Sequence, residues 1–273
     1  MNKLFKIAIL MTSGAMALAS CQEEFQFEFA EKGPEMSVNC ESAAYLGGSI
    51  DFSVDVSDEK YPLSVLKAQL FTDLDVEGGK PEPVAEFEVR TKEEGTYEGN
   101  LNVPYSVNVA DGNMAVVFTA VNTHLGYTYD TLYIAVSRPK YEYLTLKTED
   151  GGEYRMEKKD VVSVPALRSD NYWYGYTGNF PAECKAVIVA PEYEDVPELT
   201  FGWSGTGISV GVEDYITFSN GIAGEYEITF NTYDMSAGPF ITLEINGVEA
   251  SVASTDKYAA VVDLTQGGEI KVT

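Results

Sequence analysis

The stretch Ser49-Ile50-Asp51-Phe52-Ser53-Val54-Asp55-Val56 decides the fold class. Ile50, Phe52, Val54 and Val56 fall on one side of an extended chain, and Asp51, Ser53 and Asp55 on the other, because successive strand side chains point to opposite faces. Such a segment is a strand with one face in a core and one in water. Similar segments follow at 63–71, 84–89, 96–103, 114–121 and 127–136. Between them stand Gly78-Gly79, Glu93-Glu94-Gly95, Asp111-Gly112-Asn113 and Leu125-Gly126, residue types that favour turns. No run at helical spacing is long enough for a major helix. Roughly seven short strands in about a hundred residues predict an immunoglobulin-like β-sandwich over 35–138. The pattern alone also admits two large sheets or a barrel.

Outward from there, Ser137-Arg138-Pro139-Lys140 marks a domain boundary, since proline demotes a strand and a fresh alternation starts at Tyr141. Tyr141, Tyr143, Thr145 and Lys147 lead to the turn Asp150-Gly151-Gly152 and a return strand at 154–157. Further strands are expected at 161–166, 185–190, 199–203, 225–231, 240–246, 248–252, 258–264 and 269–273, with Asn246-Gly247 the strongest hairpin signal. These predict a second β-sandwich over 139–273, so the fold class is all-β, with two β-sandwich domains in tandem. The last strand runs to the final residue, which leaves open whether the fold closes there or the chain continues.

Few residues suit chemistry. His124 is the sole histidine, which removes histidine triads, His-Cys nucleophiles and paired-histidine metal sites; between Thr123 and Leu125 it reads as a polar turn residue. There is no GxSxG elbow, phosphate-cradling glycine loop or HExxH. Two facing carboxylates would suffice for a glycosidase, but among 43 acids no pair stands out, and the acidic block 192–198 reads as a solvated loop. Asp73-Leu74-Asp75 with Gly78 has some look of a calcium loop yet lacks EF-hand spacing. No catalytic residue, metal or cofactor is assigned, and the chain is not expected to be an enzyme. Cys40 and Cys184, far apart in different predicted domains, read as buried free thiols.

The informative segment is Asp170-Asn171-Tyr172-Trp173-Tyr174-Gly175-Tyr176-Thr177-Gly178-Asn179-Phe180. If extended, it places Tyr172, Tyr174 and Tyr176 on one face and Trp173 on the other. Planar rings beside amides and carboxylates suit neutral sugars, the rings stacking on a pyranose face while Asn and Asp bond its hydroxyls. Trp203, before the turn Ser204-Gly205, is a further ring where a platform can be exposed. Against this, aromatic residues populate strands by propensity and fill cores. Trp203 shares parity with Leu199 and Phe201, which leaves core and site open for it. The Tyr172–Tyr176 cluster leans to a site because its surroundings are polar.

Net charge is −25. Such a surface repels nucleic acid and anionic head groups, and the basic residues are scattered among acids apart from Lys158-Lys159. The N-terminus carries Lys3 and Lys6, an apolar run from Ile7 to Leu18 broken at Thr12-Ser13-Gly14, and small residues before a cysteine. These are the parts of an export signal, with a run too short to span a bilayer comfortably. Leu18-Ala19-Ser20-Cys21 resembles the bacterial lipobox, which implies a signal peptide over 1–20, cleavage before Cys21 and acylation of Cys21. Gln22, Glu23 and Glu24 open a polar tether over 21–34 and resemble the surface-export signal of lipoproteins in the Bacteroidota.

Taken with the sandwich-like first domain and the aromatic, glycine-punctuated second one, these features resemble the surface glycan-binding lipoproteins of Bacteroidota polysaccharide-utilisation systems, the SusE/SusF-like class. The resemblance implies an outer-membrane protein, lipid-anchored and facing the cell exterior. It also implies a spacer first domain, a non-catalytic second domain binding neutral polysaccharide or oligosaccharide, and partnership with an outer-membrane transporter complex. The implied glycan-binding positions are Trp173, Tyr174, Tyr176 and Trp203; no sugar-binding motif of the family matches them residue by residue. The alternative is a structural or adhesive surface lipoprotein, such as a pilus-like subunit, that binds protein by strand pairing and would show a long open edge or an exchangeable strand.

Overall fold

The computed structural model describes residues 27–75, 79–105, 111–241, 244–246, 248–249, 251–254, 257–260, 262 and 271. The signal peptide expected over 1–20, Cys21, the Gln22–Glu24 patch, Gly78, Gly247 and most of the strands expected at 258–264 and 269–273 lie outside the described residues. The protein is all-β, with two β-sandwich domains in tandem. Among the described residues no helix is long and apolar enough to cross a membrane.

In the first domain β1 (Glu35–Cys40), β3 (Ser49–Ser57) and β6 (Gly95–Asn102) form one antiparallel sheet in the order β1-β3-β6. A second sheet contains β2 (Ala43–Tyr45), β4 (Leu63–Phe71), β5 (Ala85–Val89), β7 (Gly112–Asn122) and β8 (Tyr127–Ser137), in the order β2-β8-β7-β4-β5. The short β2 runs parallel to the end of β8, while the other pairings are antiparallel. That two-sheet arrangement is immunoglobulin-like.

The alternation of β3 is realised as written in the sequence: Ile50, Phe52, Val54 and Val56 are buried, and Asp51 and Asp55 are exposed. Across the core they meet Leu66, Ala68 and Leu70 of β4, Val116, Phe118 and Ala120 of β7, and Ile134 and Val136 of β8. Phe52 joins the sheets by edge-to-face contact with Phe87 and Phe118, ring centroids 5.3 and 5.2 Å away. Each fully buried aliphatic or aromatic side chain of this kind contributes about 1.5–3 kcal/mol relative to exposure.

The turn from β7 to β8 is held by Asn122, whose Oδ1 accepts the N–H groups of His124 and Gly126 while its Nδ2 donates to Asp58 at 2.8 Å. His124 sits in that turn, stacked on Tyr61 at 3.8 Å. The N-terminal segment docks here: Ala30 donates to the His124 carbonyl. Gly33 passes so close to Tyr127 that a Cβ would stand 2.1 Å from its carbonyl carbon, so no other residue fits.

Residues 143–238 of the second domain form one continuous sheet. It contains β9 (Tyr143–Thr148), β10 (Glu153–Lys158), β11 (Trp173–Phe180), β12 (Glu183–Ala190), β13 (Leu199–Trp203), β14 (Ile208–Val210), β15 (Ile216–Ser219), β16 (Gly224–Asn231) and β17 (Ala237–Gly238). The order is β14-β13-β12-β9-β10-β11-β16-β17, with β15 pairing β12 beside β13. Phe201 of β13 and Phe230 of β16 stand five places apart in that order, about 24 Å in a flat sheet. Their ring centroids nevertheless lie 5.0 Å apart, so the sheet folds over and packs against itself. The enclosed core is rich in rings: Tyr141, Tyr174, Phe180, Phe201, Phe218, Tyr226 and Phe230 join Leu144, Leu146 and Ile188.

The strand expected at 161–166 does not form. Val162 and Val164 are exposed, because the segment wraps the Asp170 carboxylate, which accepts the N–H of Ser163, the hydroxyl of Ser163 and the N–H of Leu167. Of the strand expected at 240–246, only the short pair Glu244–Ile245 with Val248–Glu249 is present among the described residues, followed by Ser251–Ser254 with Lys257–Ala259.

Candidate functional site

Strand parity assigns the aromatic residues around β11. Tyr174 is 0% exposed, and its hydroxyl donates to the Tyr141 carbonyl at 2.8 Å. It is a core residue with a satisfied polar tip, and burial pushes its ionisation well above the usual phenol range. This corrects its expected place in a sugar platform, since a ring with no accessible face cannot stack on a ligand. Tyr176 points the same way and is half-buried against Tyr154 and Phe180, centroids 5.0 and 6.0 Å off. Tyr172 is buried as well, its hydroxyl 3.4 Å from Asp111. Asp170, expected to be available to sugar hydroxyls, spends both oxygens on its own loop, and hydrogen bonds from the Ser163 and Leu167 backbones hold it below the usual carboxylate range.

Trp173 faces outward and is half-buried. One step along the same face of β11, Gly175 lies under the Lys159–Glu227 ion pair: a Cβ there would meet both side chains. Trp203, at the end of β13, is 40% exposed although Phe201 on the same face is fully buried, because the strand runs past the core into the Ser204–Gly207 turn. The strands β12, β9 and β10 lie between β13 and β11 in sheet order. The structure therefore does not gather Trp173, Tyr174, Tyr176 and Trp203 into one surface along the sheet.

The acidic block 192–198 is more than a solvated loop. Its acids are exposed, but Tyr193 packs edge-on against Tyr45 and Tyr141, Val196 is buried, and Asp195 accepts the Ser49 N–H at 3.1 Å. These contacts lie on the seam between the domains. At its centre Arg138 is 2% exposed, 3.3 Å from Asp111, with its guanidinium over the rings of Tyr233 and Tyr105 at 4.8 and 5.5 Å. Tyr105 also donates to the Thr232 carbonyl and meets Phe201 at 5.7 Å. Gly47, at φ +89°, a backbone conformation that strains other residues, brings the β2–β3 turn close against Val196, Leu199 and Tyr105, which a side chain there would crowd. Beside the seam is a shallow cleft of about 400 Å³ lined by Asp111, Lys140, Arg168, Asn171 and Tyr172.

A row of exposed rings lies elsewhere, and reasoning from the sequence passed over it. Tyr127, Tyr129 and Tyr133 of β8 are 57, 59 and 67% exposed. Their signal was parity: Ile134 and Val136 face the core, so the odd-numbered positions of the same strand face outward.

Among the described residues no group of three or more His, Cys, Asp or Glu side chains is placed to hold a metal ion. Cys40 is half-buried and Cys184 buried, both free; burial, with Glu41 and Asp150 respectively adding to it, pushes each thiol up to about 11.

No curated protein matches the chain in sequence. The crystal structure of Spo0M, a sporulation control protein from Bacillus subtilis, is similar at a TM-score of 0.33 and 14% identity, over 73% of this chain and 90% of that one. A likeness at that level carries neither fold nor function. Residues 1–129 match the family described as Domain of unknown function (DUF5016). Residues 133–272, more than half of the chain, match Domain of unknown function (DUF5125), and the chain belongs to that family.

Proposed function

We propose that the chain is a non-catalytic lipoprotein, held on the outer membrane by acylated Cys21 and facing the cell exterior, that captures neutral polysaccharide on solvent-exposed rings. The observation that carries this reading in the second domain is Trp203: a large ring 40% exposed at a strand end, where burial in the core was equally open to it. An exposed indole face stacks on the apolar face of a pyranose, and the adjoining Ser204 hydroxyl, which donates to the Gly207 carbonyl, keeps lone pairs that can accept from a sugar hydroxyl. Trp173, half-buried on the opposite face of its strand from Tyr174, is the secondary candidate. The chain's net charge of −25 disfavours anionic polymers and leaves neutral ones.

The adhesive alternative gains little support from the edge of β8. Residues 30–34 dock near its start and β2 covers its end, while between them the Thr131 N–H is taken by the Asp130 carboxylate. A side chain that occupies an edge donor blunts strand addition.

Affinity electrophoresis tests the reading. The chain from Gln22 onward is run through gels containing a panel of neutral polysaccharides, beside its Trp203→Ala and Trp173→Ala variants. Retardation by at least one glycan, weakened in Trp203→Ala, is the expected result. Migration unchanged by every glycan would overturn the reading.

A further inference from the structure

We infer that the outer face of the first domain's five-stranded sheet is itself a platform for an extended neutral polysaccharide, with Tyr127, Tyr129 and Tyr133 as its stacking rings. The inference rests on the polysaccharide-binding reading above, but it reverses the role of spacer that the resemblance implies for this domain.

The face is built by register. Tyr127, Tyr129, Thr131 and Tyr133 on β8 stand opposite Val121, Thr119, Val117 and Ala115 on β7. The next strand, β4, adds Val65, Lys67, Gln69 and Phe71 opposite the same β7 residues. The surface therefore grades from a row of phenol rings, across a low floor of Val117, Thr119 and Val121, to an amide and charged groups, and it closes at the Tyr133 end, where Ala115 and Phe71 are buried. The charges are engaged with one another: Lys67 pairs with Glu86 and Glu88 of β5, and Gln69 bonds Glu86.

Three large rings more than half exposed on one strand face are not needed by the core, which β3, β4 and β7 fill with aliphatic side chains and two Phe rings. Exposed aromatic surface of this kind marks a contact site rather than ordinary surface composition. The positions from Tyr127 to Tyr133 span about 20 Å of straight strand, a length that suits several units of a linear polymer better than one small molecule. Tyrosine offers a stacking face and a phenol hydroxyl together, and Thr119, Thr131 and Gln69 supply the donors and acceptors that sugar hydroxyls require.

Charge selects among occupants. An anionic polymer meets a chain of net charge −25, and a second copy of the chain meets the same repulsion, whereas a neutral glycan meets none. A row of this kind binds weakly per ring, and a long polymer that reaches Trp203 as well gains from the second contact through effective concentration.

The test uses the chain from Gln22 onward with Tyr129 and Tyr133 both replaced by alanine, beside Trp203→Ala, in gels of whichever neutral polysaccharide retards the parent. The double variant is expected to bind roughly tenfold or more weakly while its thermal unfolding is unchanged, since two stacking contacts are lost and no core group is touched. Undiminished retardation of the double variant, with loss in Trp203→Ala, overturns the inference and leaves the second domain as the sole binder. Failure of the parent to be retarded by any glycan removes both readings together. A parent that sediments as a dimer, and a double variant that sediments as a monomer, would overturn the inference in favour of a self-association face.

Discussion

The two domains use aromatic residues in opposite directions. In the first, the core is mainly Ile, Val and Leu between two separate sheets, and the tyrosines of β8 stand in water. In the second, a single sheet must close on itself, and rings such as Tyr174, Phe201, Phe218 and Phe230 fill the space between its halves. Large planar groups suit that closure, because each removes about 150–250 Å² from water at one position. Local aromatic density is therefore a poor guide to a binding surface. The densest run in the chain, 172–180, turns mostly inward, while three tyrosines spread over seven residues of β8 stand open to solvent.

The contrast is sharpest at single side chains. Tyr174→Ala removes a fully buried ring and leaves the Tyr141 carbonyl without its hydroxyl partner, and is expected to destabilise the second domain by about 3–5 kcal/mol in denaturant unfolding. Tyr129→Ala is expected to change stability by no more than about 0.5 kcal/mol. Comparable losses at the two positions would break the distinction between inward and outward rings.

Asn122→Ala probes the first domain at the turn that launches β8. Two backbone N–H groups lose their acceptor and Asp58 loses a donor, so a loss of about 2–4 kcal/mol is expected. Burial works against the Asp58 charge, but hydrogen bonds from Asn122, Tyr61 and Lys60 outweigh it and hold its carboxyl below the usual range. The stability it contributes is present above the unfolded carboxylate pKa of about 3.9 and is lost as pH falls through the lower folded value. In Asn122→Ala that acid-labile part should shrink, which unfolding measured between neutral and acid pH would reveal.

The smallest effect compares the two thiols, one per domain. With both raised to about 11, the thiolate fraction at pH 8 drops to about one part in a thousand, against roughly a quarter for an ordinary cysteine. Both should resist maleimide in the native state. Cys40, half-buried on β1 at a sheet edge, is expected to react first, and Cys184 only when the second domain unfolds. Fast labelling of Cys184 in the folded protein would mean that the curled sheet opens readily.

Much of the first domain was legible because each strand declares its buried face locally; β3, β4 and β8 fall within a residue or so of the alternation that predicts them. The second domain was less so. Its curl depends on β13 meeting β16, a contact between strands that do not pair, and the short β14 and β15 carry too few residues to show a period. The segment 161–166 misled because its Val and Ala residues satisfy an alternating pattern, while Asp170 offers the backbone a local alternative. For the candidate site, Trp203 was a ring whose exposure parity alone left open. Tyr174 shares its face with the core of the sheet, which becomes visible only once its strand partners are known.

The strand β8 runs unbroken from the Gly126 turn, where the N-terminal segment docks, to Ser137, beside Arg138 at the seam. Its eleven residues are about 36 Å of nearly straight chain. A pull between the N-terminal segment and the second domain would leave the first domain through the end of this strand and load its ladder with β7 in shear, so that many hydrogen bonds share the force at once instead of opening one by one. The packed rings around Arg138 would then pass that load across the seam to the second domain.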